Sequence, residues 1–208
     1  MKIVYMGTPE IAKVCLEKLC TEGFDIAAVY TKPDTPKNRG MKLIASEVKA
    51  YAQSVGLPVY QPETFRDDAV VEELKGLAPD LIIVVAYGKI LPEEILNTPP
   101  YGSINVHSSL LPKYRGSAPI HWAVVNGDRE TGVTIMHMAH DLDAGDIIAQ
   151  AATPIDPDET VVALHDRLAV LGAELLVNVV ADIAAGTATR TPQEHGKATL
   201  APMLDKEL

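Results

Sequence analysis

Short apolar runs alternate with amphipathic segments along most of the chain. The runs with strand character are Ile3 to Met6, Ile26 to Tyr30, Leu57 to Tyr60, Leu81 to Ala86 and Ser103 to His107. Between them, apolar residues recur at helical spacing over roughly 11–19, 46–56, 67–77 and 118–126. Leu81 to Ala86 is apolar at every position, which is typical of a central strand buried on both faces. The alternation predicts an α/β fold, with a mostly parallel central sheet and helices on both of its faces.

The second half of the chain follows a different order of elements. Two strand-like runs, 132–138 and 147–152, are joined by the loop HDLDAGD. Thr160 is placed to cap a long final helix, because the leucines after it are spaced for one buried face. After Gly186 the pattern fades. We therefore expect one domain over residues 1–187, followed by a tail over 188–208 that has no core of its own.

Charge separates one segment from the rest of the chain. The formal net charge is −10, the wrong sign for a protein that coats nucleic acid nonspecifically. Between residues 32 and 49 the balance reverses: cations at Lys32, Lys37, Arg39, Lys42 and Lys49 outnumber the acids Asp34 and Glu47. Either this is a solvated loop or it holds a polyanion at one place.

Two negative features bear on location. The chain has no apolar run of about 18 residues, and the N-terminus lacks a secretory signal pattern. The two cysteines, Cys15 and Cys20, lie five residues apart in a helix-like segment, which matches neither a metal knuckle nor a redox pair. We expect a cytoplasmic protein with reduced thiols and no membrane contact.

Chemistry is concentrated where the strand Ser103 to His107 ends. Residues two apart on a strand point the same way, so Asn105 and His107 would project together. Ligands of open α/β sheets bind at the carboxyl ends of strands. An amide that donates to an oxyanion, beside an imidazole that moves a proton, suits acyl transfer to an amine. The alternative is a strand end whose polar groups satisfy the neighbouring backbone.

Two loops strengthen the catalytic interpretation. A long basic loop runs from His107 to the helix near residue 118, and loops held by a rigid sheet often carry binding function. The loop HDLDAGD places carboxylates between two strands, and a carboxylate near His107 would orient its ring. The nearby set His137, His140, Asp141, Asp143 and Asp146 does not have the spacing of a tetrahedral site, so we expect no metal.

The residues around this strand resemble a known family. INVHSSLLPKYRGSAPIHWAVVNGDRETGVTIMHM, followed by DLDAGDIIAQ, is similar to the signature of the folate-dependent formyltransferases. The resemblance implies the Rossmann-like formyltransferase fold, 10-formyltetrahydrofolate as formyl donor, and catalytic roles for Asn105, His107 and Asp143. Asp146 is a departure, because the family often has proline there.

Within this resemblance, VVAYGKILP is similar to the wall of the folate pocket. The residues it implies for folate binding are Tyr87, Gly88, Lys89, Ile90, Leu91, Ser109, Leu110, Leu111 and Pro112. Taken without the resemblance, Ile90 and Leu91 have the character of ordinary core residues.

The opening VYMGTPE resembles the branch of the family whose acceptor is the amine of initiator methionyl-tRNA. Residues 32–43 are similar to the insertion loop with which that branch grips the acceptor arm. The resemblance implies tRNA contacts by Lys37, Arg39, Lys42 and Arg115. The same resemblance implies that residues 188–208 are a linker toward a C-terminal β-barrel domain that this chain does not contain. We expect the enzyme to be a monomer.

Other interpretations stay open at this stage. LLPKYRGSAP also resembles formyltransferases that act on amino-sugar nucleotides. A formyl-folate hydrolase would use the same three residues with water as nucleophile. A noncatalytic nucleotide-binding or RNA-binding module would need none of them, and the opening loop lacks the G-x-G-x-x-G spacing of a dinucleotide site.

Overall fold

The structure is a computed structural model that describes residues 1–37 and 42–204. Seven strands form the main sheet: β1 Lys2–Gly7, β2 Asp25–Tyr30, β5 Val59–Tyr60, β6 Leu81–Val85, β7 Ser103–His107, β8 Glu130–His137 and β9 Ile147–Pro154. A separate hairpin consists of β3 Thr35–Lys37 and β4 Lys42–Ile44. The helices are α1 Glu10–Thr21, α2 Glu47–Ser54, α3 Asp68–Gly76, α4 Glu93–Leu96, α5 Pro119–Val125 and α6 Val161–Ala185. The predicted mostly parallel α/β fold is confirmed.

The chain divides into two compact units, Met1–Ile104 and Asn105–Leu208. In the first unit the strand order is β5-β2-β1-β6, and all three pairings are parallel. Every residue of β6 is buried, as its continuous apolar sequence predicts. Polar caps begin α2 and α3. At α2 the Ser46 hydroxyl accepts from the Lys49 N–H at 3.0 Å, which satisfies a free donor of the first turn.

The basic segment of the first unit contains the hairpin β3–β4, where the sequence indicated only a loop. Its base is fixed on both sides. The Thr31 and Ser46 hydroxyls lie 2.7 Å apart, and Lys49 Nζ lies 2.7 Å from Asp34 Oδ2. The Lys49 ammonium, with the Gln61 amide, holds the pKa of the Asp34 carboxyl below its usual value. The hairpin is therefore anchored at its base by side chains outside its two strands.

In the second unit β8 and β9 form an antiparallel pair, and α6 packs against both. The Thr160 hydroxyl caps α6 by accepting from the Ala163 N–H at 3.2 Å. By length and composition α6 could also cross a membrane, which departs from the expectation that nothing in the chain is apolar enough. Its charged residues are few, and its apolar face, including Leu164, Leu168 and Leu176, is buried in this unit.

The segment after α6 packs along the second unit, although the sequence pattern gave it no core. We call residues 189–202 the strap. Thr191 exchanges two backbone hydrogen bonds with Ile147, at 2.8 and 2.9 Å. Farther along, Ala201 has no accessible surface, and the Pro202 carbonyl accepts from the Trp122 indole N–H at 2.8 Å. The division of the chain at residue 187 stays a prediction, and residues 205–208 lie outside the described residues.

Candidate active site

The imidazole of His107 faces an acceptor at each ring nitrogen. The side chain is buried at the end of β7. Its Nε2 lies 2.8 Å from the Tyr114 carbonyl oxygen, and its Nδ1 lies 3.6 Å from Asp143 Oδ2. A carbonyl oxygen can only accept, so Nε2 carries a proton in this arrangement. A second ring proton, on Nδ1, would face the carboxylate.

The loop between β7 and α5 supplies the groups that contact this pair. The Gly116 N–H donates to Asp143 Oδ2 at 2.8 Å, so the same carboxylate oxygen faces both a backbone amide and the ring. Tyr114 adopts a left-handed backbone, with φ of 64°. Its hydroxyl donates to Asp128 Oδ2 at 2.7 Å and accepts from the Asn126 amide. Contacts at both ends therefore hold Tyr114 in a conformation that is uncommon for tyrosine.

The loop between β8 and β9 presents Asp143 from a constrained backbone. Asp143 has a φ of 48°, in the region that non-glycine residues rarely adopt. At Gly145, a Cβ atom would lie 1.8 Å from the His137 carbonyl oxygen. Only glycine allows the loop to approach β8 this closely. The Asp146 carboxylate, where the family often has proline, accepts from Arg190 Nε of the strap at 2.8 Å.

Asn105 lies two residues before His107 on β7 and is half-buried between buried neighbours. The pattern places both side chains on one face of the strand, as period-two alternation requires. In the part of the chain that the structure describes, we find no hydrogen bond from the Asn105 side chain. Its amide is therefore available to a ligand, and its catalytic role stays a prediction.

Sequence reasoning did not identify Gln193, a strap residue that is 5% exposed. Its Nε2 donates to the carbonyl oxygens of Asp143 at 2.8 Å and Gly145 at 2.7 Å. Its Oε1 accepts from Arg115 Nη2 at 2.7 Å. Arg115, which the resemblance implied for tRNA binding, also contacts His195 Nδ1 at 3.1 Å. A single glutamine in a polar tail carries no periodicity that would have indicated this burial.

The remaining predicted folate residues of the second unit lie in the loop after His107. Ser109 is fully buried and its hydroxyl donates to the Lys113 carbonyl at 2.6 Å. The Leu111 N–H donates to Thr134 Oγ1, and its carbonyl accepts from the Gln150 amide at 2.9 Å. Leu110 and Pro112 are half-buried. Backbone contacts to β8 and β9 thus fix this loop, and a folate contact stays a prediction.

The other predicted folate residues, Tyr87 to Leu91, follow β6 in the first unit. Burial raises the pKa of the Tyr87 phenol, and its hydroxyl is buried without a partner among the described residues. Gly88 has a φ of 73°, and a Cβ atom there would lie 2.3 Å from Lys32 Nζ. Leu91 is buried, whereas Ile90 is 94% exposed. The prediction from pattern alone, that both are core residues, is therefore wrong for Ile90.

A cavity of about 350 Å³ lies beside this segment. Lys89, Ile90 and Pro92 form one side, and residues 63–66 form the other. The Lys89 ammonium donates to the Glu63 carbonyl at 2.5 Å. Phe65 packs edge-on against Tyr87, with ring centroids 6.2 Å apart. The cavity is large enough for part of a small organic ligand, with apolar walls and cations at its rim.

Two of the predicted tRNA contacts, Lys37 and Lys42, lie at the end of the hairpin away from its anchored base. Lys37 and Lys42 face each other in the register of β3 and β4, and only their backbone is described. Arg39 lies outside the described residues. Leu43 and Ile44, on β4, are exposed. Over residues 1–37 and 42–204 no group of three or more histidine, cysteine, aspartate or glutamate side chains could hold a metal ion.

Comparison with known proteins shows which family the sequence matches. A sequence model of the family described as formyl transferase matches residues 1–180. The chain is 50% identical over 207 residues to methionyl-tRNA formyltransferase of Geotalea uraniireducens, covering 100% of this chain and 66% of the relative. It is 52% identical to the protein of the same name from Syntrophus aciditrophicus, with the same coverage. The chain thus spans about two thirds of the length of these curated relatives.

Solved structures show the same fold at lower identity. Glycinamide ribonucleotide transformylase 1 from Symbiobacterium toebii superposes with a TM-score of 0.75. It is 22% identical, and the match covers 89% of this chain and 88% of that one. At this identity the likeness concerns the fold alone.

Proposed function

The chain belongs to the formyl transferase family, and we propose that it carries the catalytic part of an enzyme that formylates methionyl-tRNA. The formyl donor is 10-formyltetrahydrofolate and the acceptor is the amino group of the initiator methionyl-tRNA, for translation initiation. The observation that carries this proposal is the identity of 50% or more over 207 residues to relatives of that name. The second support is the arrangement of His107 and Asp143 at 3.6 Å.

The proposed reaction is acyl transfer through a tetrahedral intermediate. The acceptor amine attacks the formyl carbon, and the carbonyl oxygen becomes an oxyanion. The Asn105 amide donates to that oxyanion and the positive charge of the protonated His107 ring stabilises it, an effect that is largest in a site that excludes water. When the intermediate collapses, the bond between the formyl carbon and the folate nitrogen breaks. The amine loses one proton and the folate nitrogen gains one, so the reaction releases no net proton.

In this mechanism Asp143 orients the His107 ring and assists the transfer of the proton from the amine to the folate nitrogen. Its carboxylate faces Nδ1 of the ring and is itself fixed by the Gly116 N–H at 2.8 Å. We assign it two tasks: it holds the ring in orientation, and it positions a water that carries the proton from the attacking amine to the folate nitrogen. Both tasks need a carboxylate that does not move, because a displacement of about 1 Å can cost a hundredfold in rate.

Substrate contacts follow the resemblance. In the proposal, the pterin contacts Tyr87 to Leu91 and the loop Ser109 to Pro112. The acceptor arm of the tRNA contacts the basic hairpin through Lys37, Arg39 and Lys42. His107 and Asp143 come from one chain, so the proposed site needs no second copy, and we propose that the enzyme acts as a monomer. Its proposed substrates and its two free cysteines support a cytoplasmic location.

The test is transfer of labelled formyl from 10-formyltetrahydrofolate to methionyl-tRNA, with the His107→Ala variant as control. A panel of amino-sugar nucleotides, assayed in parallel, separates the two acceptor classes. The expected result is labelled formyl-methionyl-tRNA that is absent in the control. Transfer only to a sugar nucleotide would refute the acceptor. Release of free formate in place of transfer would indicate a hydrolase instead.

A further inference from the structure

The contacts of Gln193 converge on the loop that carries Asp143. Both hydrogens of its side-chain amide are directed at backbone carbonyls on either side of Ala144, at 2.8 Å to Asp143 and 2.7 Å to Gly145. The Met136 sulfur lies 3.8 Å from the same nitrogen. These carbonyls belong to the constrained turn in which Asp143 takes a φ of 48°. The amide therefore holds the backbone from which the carboxylate projects.

The acceptor side of Gln193 reaches the second loop. Its Oε1 accepts from Arg115 Nε at 3.2 Å and Nη2 at 2.7 Å. Arg115 lies between the two residues that contact the pair, since Tyr114 accepts from the His107 ring and Gly116 donates to Asp143. One buried side chain thus joins the loop that holds His107 to the loop that carries Asp143.

The rest of the strap supports the same loop from behind. Thr199 Oγ1 accepts from the Tyr114 N–H at 2.9 Å. Backbone bonds link Arg115 to Thr199 at 2.8 Å and to Ala201 at 2.7 Å. At Gly116, a Cβ atom would lie 2.7 Å from the Ala201 carbonyl oxygen. The strap and this loop are therefore in close backbone contact, and Gln193 is the strap side chain that also reaches Asp143.

We propose that Gln193 is a positioning residue: through its amide, the strap sets the distance between the Asp143 carboxylate and the His107 ring. This inference rests on the proposed function, and it assigns to the strap a part in the catalytic site. Glutamine is the side chain that fits, because it offers two N–H donors to two carbonyls and one acceptor to a guanidinium. A carboxylate of the same shape has no proton to donate to those carbonyls.

Two variants and one control test the proposal. Gln193→Glu keeps the shape and the Arg115 contact but removes both donors. Gln193→Met keeps the length and removes all polarity. Thr189→Val is the matched control, because it removes a strap hydrogen bond to the Ile148 carbonyl without touching either loop. We expect kcat for formyl transfer to fall about ten- to a hundredfold in both Gln193 variants. KM for the folate should change far less, and the control should retain its kcat.

The pH dependence of Gln193→Glu separates positioning from loss of fold. A buried carboxyl that faces two carbonyls takes up a proton as the pH falls, although the Arg115 guanidinium on its other side favours the charged form. Once protonated, it regains one O–H donor. The ratio of variant to wild-type kcat should therefore rise toward acid pH. Gln193→Met, which has no such proton, should show a constant ratio. A merely destabilised chain would also recover toward acid pH, so each kcat is referred to the fraction of folded chain that urea unfolding measures at that pH.

Hydrogen exchange gives a measurement that does not depend on activity. The Gly116 amide, which is bonded to Asp143 Oδ2, should exchange faster in Gln193→Met than in Thr189→Val, because its acceptor is no longer held. If the wild type shows no formyl transfer, the proposed function fails, and this exchange rate still decides the positioning role. Equal Gly116 exchange in the two variants, or wild-type kcat in both Gln193 variants, would overturn the inference.

Discussion

Two non-glycine residues with left-handed backbones, Tyr114 and Asp143, meet at His107. Such conformations cost of order 1–3 kcal/mol each and persist where surrounding contacts over-determine them. Those contacts are present here: Asp128 and Thr199 hold Tyr114, and Gln193 holds the Asp143 carbonyl. At the scale of single residues, these contacts thus fix the Tyr114 carbonyl and the Asp143 carboxylate beside the His107 imidazole.

Asn105→Ala tests the oxyanion role directly. We expect kcat for formyl transfer to fall about a hundred- to a thousandfold, the usual cost of removing one oxyanion donor. The melting temperature should stay close to that of the wild type, because no hydrogen bond from this side chain is found among the described residues. Asn178→Ala, on the exposed face of α6, is the matched control. Near-wild-type kcat in Asn105→Ala would remove it from the mechanism.

Gly145→Ala tests the close approach of the Asp143 loop to β8. The added methyl would lie 1.8 Å from the His137 carbonyl oxygen, so the loop must move. We expect a loss of about 1–3 kcal/mol in the free energy of unfolding, the typical cost of overpacking, and reduced kcat from the displaced carboxylate. Gly196→Ala is the control, since nothing lies within 4 Å of a Cβ there. Equal stability of the two variants in urea unfolding would contradict the prediction.

At the scale of elements, α6 is tied to the sheet by one guanidinium. Arg167 makes a two-pronged contact with Glu159, at 2.7 and 2.8 Å. It also donates to the Thr153 hydroxyl and to the Pro154 carbonyl. The residue joins the start of the helix to the end of β9 through a planar group whose donors point in fixed directions.

Arg167→Lys should therefore weaken this junction even though the charge is kept. A lysine ammonium cannot reproduce the two-pronged geometry. Because the side chain is partly exposed, we expect a modest loss of about 1 kcal/mol in the free energy of unfolding. Urea unfolding measures it, and Lys197→Arg, at an exposed ion pair of the strap, serves as control. No difference between the variants would show that the contact does not stabilise the fold.

His137, at the end of β8, makes stability depend on pH. Burial, and then the positive charge of Arg190, lower its pKa below 6.5, while Asp146 opposes them. The unfolded chain therefore takes up this proton first as the pH falls. The free energy of unfolding should decrease from about pH 6.5 down to the folded-state pKa. In His137→Gln this contribution disappears, and urea unfolding at several pH values measures it. Identical pH slopes for both proteins would refute the assignment.

The elements differ in how far the sequence predicts them. β6 is apolar at every position and α6 has a strong helical periodicity, and the structure has both within a few residues of the predicted bounds. The hairpin β3–β4 was missed because strands of three residues that contain Pro36 carry no alternating pattern. The strap was missed for another reason. Its partners in the sheet and loops lie at least 41 residues away in sequence, so its burial depends on tertiary contacts that no local pattern reports.

The candidate site divides in the same way. Asn105 and His107 could be singled out because polar side chains ending an apolar strand are unusual. Asp143 could be placed near them only through the resemblance to a family, since its loop lies on a different strand pair. The contacts made by Tyr114 and Gly116 use backbone groups, which every residue has. No sequence signal distinguishes a carbonyl that orients a histidine from one that does not.

At the scale of the whole molecule, charge governs how the proposed tRNA would bind. The chain has a net charge of −10, so most of its surface repels RNA. The cations Lys37, Arg39 and Lys42 of the basic hairpin are the predicted exceptions. Contacts of this kind position a nucleic acid through its phosphates rather than read its sequence.

A small number of phosphate contacts predicts a shallow salt dependence. We expect a slope of about −2 to −3 for the logarithm of the tRNA binding constant against the logarithm of salt concentration, as for roughly three neutralised phosphates. Arg39→Ala should reduce the magnitude of that slope by about 1 and leave folate binding unchanged. Filter binding over a salt series measures the slope. A much steeper slope, or an equal loss of folate binding, would contradict a hairpin-centred interface.

The contact between Tyr114 and Thr199 spans 85 residues of chain, and this has a consequence for the newly made protein. Ribosomes add roughly 5–20 residues per second, so the pair His107 and Asp143 is synthesised several seconds before the segment that completes its support. Until then the loops that carry Tyr114 and Asp143 lack the contacts of Thr199 and Gln193. The proposed formyl transfer should begin only after residues 189–202 have emerged, because the two loops of the site depend on this short segment for their support.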